Sequence, residues 1–466
     1  MSNKRKVEDM MNNLELEELK NRELLHNQNK ETAREKIEGL LDDKSFVEIE
    51  PLYNKGIVAG YGTINSRPIC IWAQDVLQDD GALTSANIEK AIKVFDIAIK
   101  VGCPIISILE SAKINYVDNL DILQGISRLI EKQVAVSGVI PQIAILFDSI
   151  IGGMAYSVAL NDFIYTVKSN DISATLEKVK KINNADYKKD TDELLSFCFD
   201  NKNDCYGEVR KLLEFVPDNN LTDTEIFETD LNRTCEALNV ISESEYDVHA
   251  IINEIVDKDF LEVKSNLSFN SVIGFARMGG RAVGIVASNG EGVLKISDFN
   301  KISRFIRFCD AFNLPIVTLI NAKGYFNNSS NDIMNAGARL FYAYAEATVP
   351  KINVLLGDAF GSMYIAMGNI GKDITFAWPN ANVCVAQPEA YVSVTKNSSI
   401  KDNADRIQKI EEYKSDNENI LLALNKGYID DIIEPSTTRQ RIINALELFI
   451  NKRENRPVKK HGNIPV

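Results

Sequence analysis

Residues 58–71 read VAGYGTINSRPICI, and residues 272–285 read VIGFARMGGRAVGI. Each stretch alternates apolar residues around a Gly/Asn turn, the pattern of a β-hairpin. The two lie 214 positions apart and pair Val58 with Val272, Gly60 with Gly274, Arg67 with Arg281 and Ile71 with Ile285. The same offset lays LDDKSFVE (41–48) on IVDKDFLE (255–262), with Asp43 answering Asp257. Further on, GCPIISIL (102–109) answers NLPIVTLI (313–320) at an offset of 211. PQIAIL (141–146) through GGM (152–154) then answers PKINVL (350–355) through GSM (361–363), offset 209. Small loop insertions account for the drift, and four matches in one order imply an internal duplication.

Each half therefore runs hairpin, helix, buried strand, helix, buried strand, glycine turn, helix. Strands such as 105–109 and 143–147 are continuous apolar runs, which suits a sheet covered on both faces. Helical spacing over 88–100, 122–134, 302–312 and 336–347 makes the class α/β. Residues 5–41, rich in Lys, Glu, Leu and Asn, predict a charged helical arm, and helical spacing also covers 194–215. The domain plan is a helical arm at 1–32, a first domain at 33–220, a linker at 221–240 and a second domain at 241–466.

At 466 residues and 45% hydrophobic, the chain is long enough for large cores without disulfide staples. A formal charge of −14 disfavours nucleic acid and anionic membranes as partners. Cys70, Cys103, Cys198, Cys205, Cys235, Cys309 and Cys384 are scattered, without a Cys-x-x-Cys pair, and read as reduced thiols of a cytoplasmic protein. His26, His249 and His461 are too dispersed for a metal cluster, so no metal is expected. The most apolar stretch, 139–160, is interrupted by Gln142 and Asp148 and reads as core rather than a membrane span. Trp72 and Trp378 read as packing residues.

In each half two buried strands end in loops that then enter helices. Backbone N–H groups at a helix start have no internal partner, and the macrodipole is positive there. Such a place can hold negative charge developing on a carbonyl oxygen, each preorganised donor being worth roughly 3–4 kcal/mol in acyl chemistry. The turns at Gly152-Gly153 and Gly361 allow close approach of a ligand; tight packing without a ligand is the competing explanation. Glu110 and Asp148 end strands near the presumed pocket, as general bases or as solvated or capping carboxylates. Lys113 is a phosphate or carboxylate contact, or an ordinary surface lysine. No Gly-x-x-x-x-Gly-Lys-Ser/Thr loop occurs, which removes a P-loop nucleotide site.

AREKIEGLLD (33–42), SGVIPQ (137–142), RFIRFCDAF (304–312), YAYAEATVPK (342–351) and KKHGNIP (459–465) carry a resemblance to a known family. From about Thr32 to Val466 the chain resembles the biotin-dependent acyl-CoA carboxyltransferases: the carboxyltransferase subunits of propionyl-CoA carboxylase, methylmalonyl-CoA decarboxylase and glutaconyl-CoA decarboxylase. The resemblance implies two tandem crotonase-like (ClpP/crotonase superhelix) domains, assembled as a hexamer or a larger complex. The N-terminal domain would bind acyl-CoA and the C-terminal domain biotin. Coenzyme A thioester would be the substrate, with biotin arriving on a separate biotin carboxyl carrier protein, in company with biotin carboxylase or decarboxylase subunits. Catalysis would rest on orientation and on two backbone oxyanion holes, one for the thioester enolate and one for the biotin carbonyl.

Carried over by position, the first hole falls on Ala112, Lys113 and Ile114, and the second on Gly361, Ser362 and Met363. The family has Gly-Gly-Ala at both places. Gly152, Gly153 and Met154 would line the acyl-CoA pocket, Gly324 would be a further substrate-binding residue, and the loop after Gly324-Tyr325 is about three residues shorter than usual. Amide donors survive any substitution except proline, whereas Lys113 and Ile114 add bulk beside the thioester. Two alternatives stay open. One is a catalytically silent paralogue filling a place in such a complex. The other is a crotonase-type hydratase, isomerase or thioesterase, with Glu110 or Asp148 as its base.

Overall fold

The structure is a computed structural model. It describes all residues except 1–2, 53–55, 78–80, 111–119, 149, 151–152, 168–193, 243–246, 268–269, 291–292, 323, 325–330, 397–398, 418–419 and 466. The chain forms two units, Met1–Asp223 and Thr224–Val466, each built on one sheet.

The first sheet runs in chain order through β1 (Val47–Glu48), β2 (Ile57–Ile64), β3 (Arg67–Gln74), β4 (Ile105–Leu109), β5 (Gln142–Leu146), β6 (Phe163–Val167) and β7 (Phe197–Phe199). β1, β2 and β3 are antiparallel, and everything from β3 onward is parallel. The second sheet repeats this: β8 (Leu261–Glu262), β9 (Ser271–Met278) and β10 (Arg281–Ser288) are antiparallel. Then β11 (Ile316–Ala322), β12 (Lys351–Phe360), β13 (Ile374–Ala377) and β15 (Asp431–Ile432) follow in parallel. A short extra strand, β14 (Asn382–Cys384), pairs with the last residues of β12. Parallel strands need helical crossovers, and here these are the helices Ser85–Val101, Leu120–Val136, Ile296–Ala311 and Asn331–Glu346. Every residue of β4 is buried, as continuous apolar strands under two covered faces should be.

The duplication appears as repeated contacts. Asn65 and Ser66 both have positive φ (51° and 65°), as do Gly279 and Gly280 (62° and 78°), so both hairpins close on two-residue left-handed turns. A carboxylate caps each turn. Asp42 accepts from the amides of Asn65 and Ser66 at 3.0 and 2.9 Å, and Asp257 accepts from Gly279 and Gly280 at 3.3 and 2.7 Å. The counterpart of Asp257 is therefore Asp42, not Asp43, which the constant offset selects. Phe46 and Phe260 keep the expected register against Gly60 and Gly274, so one residue is inserted between Asp42 and Phe46. The lysines of the first crossover helices repeat as well: buried Lys90 and Lys301 donate to the carbonyls of Ile57 and Ser271 at 3.2 and 2.9 Å.

Two expected helices differ from the structure. The segment 194–215 divides, because Phe197 and Phe199 stack on Tyr165 of β6 at 4.5 and 6.3 Å and complete the sheet as β7. The Asn201 side chain then accepts from the Asp204 amide and starts the helix Lys202–Phe215. The arm over 5–41 is broken into helices Asn3–His26 and Ala33–Leu40, with Asn29 at φ 55° and a Thr32/Glu35 capping box between them. Trp72 and Trp378 are core residues of the first and second units. All seven cysteines are free. Among the described residues, no helix is long and apolar enough to cross a membrane.

Candidate functional site

In parallel α/β sheets, ligands bind beyond the carboxyl ends of the strands. In the second unit that edge holds the turn from β12 into a short helical stretch beginning at Ser362. Gly361 sits at φ +55°, and a Cβ there would lie 2.9 Å from the Val385 carbonyl oxygen, so backbone conformation and space both select glycine. Its own N–H donates to the Cys384 carbonyl at 2.9 Å, continuing the β12–β14 ladder. Its carbonyl accepts from Ile365 at 3.2 Å, closing the first helical turn.

Ser362 and Met363 therefore occupy the first two helical positions. Among the described residues, no acceptor is found for their amides, as expected at a helix start. Met363 as a whole residue is buried, at 1% exposure, whereas Ser362 before it is partly exposed. Tyr364–Asn369 continues as one π-helical turn, a form that recurs at functional sites. The Tyr364 hydroxyl donates to the Tyr428 carbonyl, and burial pushes its pKa up to about 12, keeping it neutral at physiological pH.

In the first unit, β3, β4 and β5 end together. Glu110, directly after β4, donates its amide to Gln74 Oε1 at 2.9 Å and pairs its carboxylate with Lys36. The Lys36 ammonium is nearly sealed, at 4% side-chain exposure, and lies 5.1 Å from the Phe147 ring centroid. Asp75, at the end of β3, has its pKa raised by burial. The Glu110 carboxylate is thus engaged by the buried Lys36 ammonium. Sequence reasoning had no means of finding Lys36, which is 74 positions from Glu110.

Ala112, Lys113, Ile114 and Gly152 lie outside the described residues. Gly153 opens the helix Gly153–Ala159, and a Cβ on it would approach Ile126 Cγ2 to 3.1 Å, so close helix–helix packing accounts for this glycine. Met154 is buried. Gly324 follows β11 at φ +152°, and its carbonyl accepts from Leu294. Among the described residues, no group of three or more His, Cys, Asp or Glu side chains gathers as a metal would require.

Residues 25–464 match the carboxyl transferase domain family. The chain is 36% identical to methylmalonyl-CoA decarboxylase subunit alpha of Veillonella parvula, over 95% of this chain and 94% of that protein. It is also 36% identical to the putative propionyl-CoA carboxylase beta chain of Bacillus subtilis, over 93% and 94%. The transcarboxylase 12S crystal structure, a hexamer assembly with methylmalonyl-coenzyme A and methylmalonic acid bound, superposes with a TM-score of 0.91 at 32% identity, covering 100% of this chain and 99% of that one. The two sheets are thus two tandem crotonase-like domains. With sequence and fold matched along nearly its whole length, the chain belongs to the carboxyl transferase domain family, as a carboxyltransferase of the acyl-CoA carboxylase/transcarboxylase type.

Proposed function

We propose that this protein moves a carboxyl group between carrier-bound biotin and a short-chain acyl-CoA, either propionyl/methylmalonyl-CoA or acetyl/malonyl-CoA. The observation that carries this is the pair of amides at Ser362 and Met363, without an acceptor among the described residues, at a helix start set by the Gly361 turn. Biotin supplies the carboxyl carrier and, at its ring nitrogen, the acceptor for the acyl α-proton. This chain's residues orient and stabilise. Ser362 and Met363 present two N–H donors, which fit one carbonyl oxygen of the biotin ring. Donors fixed before the reaction need no reorganisation as charge develops, the source of their advantage over water. Ala112, Lys113 and Ile114 are proposed to play the same part for the thioester oxygen, with Gly152, Gly153, Met154 and Gly324 around the substrates.

The acyl-CoA half is assigned to residues 33–220 and the biotin half to 241–466, joined by 221–240. By likeness to the transcarboxylase 12S hexamer, the partners proposed are further copies of this chain, a biotin carboxyl carrier protein and the other subunits of a carboxylase or decarboxylase. One alternative keeps a specific observation in its favour. Lys113-Ile114 and Ser362-Met363 stand where the family has Gly-Ala, which suits a subunit that binds CoA without turnover. The test is transfer of labelled carboxyl from malonyl- or methylmalonyl-CoA to free biotin and to a biotinylated carrier. Transfer supports the proposal. CoA binding without transfer supports the silent subunit, and turnover without biotin supports a crotonase-type hydratase, isomerase or thioesterase.

A further inference from the structure

β12 does not pair evenly with β11. Ile320 pairs with Leu355 and Ala322 with Ala359, so one residue of β11, Asn321, faces three of β12: Leu356, Gly357 and Asp358. Such a bulge breaks the ladder and leaves backbone groups without strand partners. Here a side chain takes the place of the missing strand carbonyl. Asn321 Oδ1 accepts from the Asp358 amide at 3.0 Å, and the Asn321 amide donates to Ser288 Oγ at 2.7 Å, anchoring it to the end of β10. Gly357 makes room for this, because a Cβ there would lie 2.8 Å from Asn321 Oδ1. The Asp358 carboxylate in turn accepts from Asn382 Nδ2 at 3.1 Å, at the residue pair where β14 begins to pair with β12. Three residues later that pairing ends in the Gly361–Cys384 bond, and the chain turns into Ser362 and Met363.

We propose that Asn321, Asp358 and Asn382 are positioning residues for the biotin-side half-reaction. The chain of bonds from Ser288 to Asn382 fixes the bulge. The bulge sets the end of β12 against β14, and β14 holds the Gly361 turn from which Ser362 and Met363 start the helix. This deepens the function proposed above and rests on it, but its geometric content is measurable without turnover. None of the three side chains needs to touch either substrate.

The variants are Asn321→Ala, Asp358→Ala and Asp358→Asn, the last restoring an acceptor for Asn382. The first measurement is hydrogen exchange by mass spectrometry of peptides covering 355–366 in the full-length protein. Exchange is expected to rise there in Asn321→Ala and Asp358→Ala, with the β9–β10 hairpin protected as in the wild type, and to be largely recovered in Asp358→Asn. The second is transfer kinetics. The kcat for transfer to biotin is expected to fall about 100-fold, the scale of a misplacement of about 1 Å, with KM for acyl-CoA unchanged. Wild-type exchange at 355–366 in both alanine variants overturns the inference. So does faster exchange spread over the whole unit, or equal changes in kcat and both KM values. A wild-type protein without transfer but with the local exchange response defeats the functional proposal and leaves the positioning inference standing.

Discussion

Replacing Arg439 with methionine should unfold the second unit far more readily than the matching change at Arg210 unfolds the first. Both arginines hold the carboxylate that caps a hairpin turn, Arg439 through Asp257 and Arg210 through Asp42. Their burial differs. The Arg439 side chain is 0% exposed and its partner 8%, whereas Arg210 and Asp42 are 30% and 29% exposed. Arg439 also donates to the Asp230 carbonyl at 2.8 Å, a group left without that donor in the variant. Removing one partner of a buried pair costs about 3–5 kcal/mol, whereas a half-exposed pair is worth about 1 kcal/mol or less. With a urea slope of about 3 kcal/mol/M, the first loss moves the midpoint by more than about 1 M and the second by about 0.3 M. The two tryptophans provide separate reporters, Trp72 in the first core and Trp378 in the second, the latter bonded to Thr438 beside Arg439. Urea titrations of Trp72→Phe and Trp378→Phe backgrounds, followed by fluorescence, give each unit its own curve. Equal shifts for the two arginine variants, or a larger one for Arg210→Met, would refute burial as the deciding variable.

Lys351 is sealed at 1% exposure and its pKa is depressed to about 8, chiefly by burial and then by the nearby Lys452 charge. Because the unfolded lysine keeps its proton to higher pH, stability should rise between about pH 8 and 10.5; Lys351→Met should lose that rise, measured as unfolding midpoint against pH relative to wild type. Gly361→Ala should cost about 1–2 kcal/mol for its left-handed φ and lower transfer to biotin more than tenfold, seen by denaturation and by labelled-carboxyl transfer; an unchanged transfer rate would show that this turn does not set the donors. Restoring Gly-Ala at 113–114 should raise transfer, and an equal or lower rate would remove steric obstruction by Lys113 and Ile114 as a factor.

Much of the fold could be read from the sequence, because duplicated strands carry their pattern in apolar periodicity. Both hairpins, the buried strands and the crossover helices follow from runs such as 105–109 and 316–320. What escaped depends on geometry that periodicity does not encode. A single inserted residue moved the capping role from Asp43 to Asp42, and only the hydrogen bonds to Asn65 and Ser66 reveal it. The helix expected over 194–215 gave way at Phe197 and Phe199, whose stacking on Tyr165 is a tertiary preference for strand. The proposed site was chosen through its glycines, but the side chains that hold the Gly361 turn were not foreseen. Asn321, Asp358 and Asn382 come from three different strands, and the one local trace of them is Gly357, a glycine inside a strand that marks close approach of another group.

The backbone N–H groups of Ser362 and Met363 are proposed to stabilise the biotin carbonyl, and Ser362→Pro removes one of them. Proline is well accepted at the first position of a helix but restricts the residue before it, so hydrogen exchange over 355–366 is read alongside to check that the Gly361 turn is kept. Beside Ser362→Ala, which removes the hydroxyl and keeps the amide, Ser362→Pro should lose about 100- to 1,000-fold in transfer to biotin, with acyl-CoA binding retained in both. A proline variant that transfers carboxyl at the rate of the alanine variant would show that the Ser362 amide takes no part in transfer.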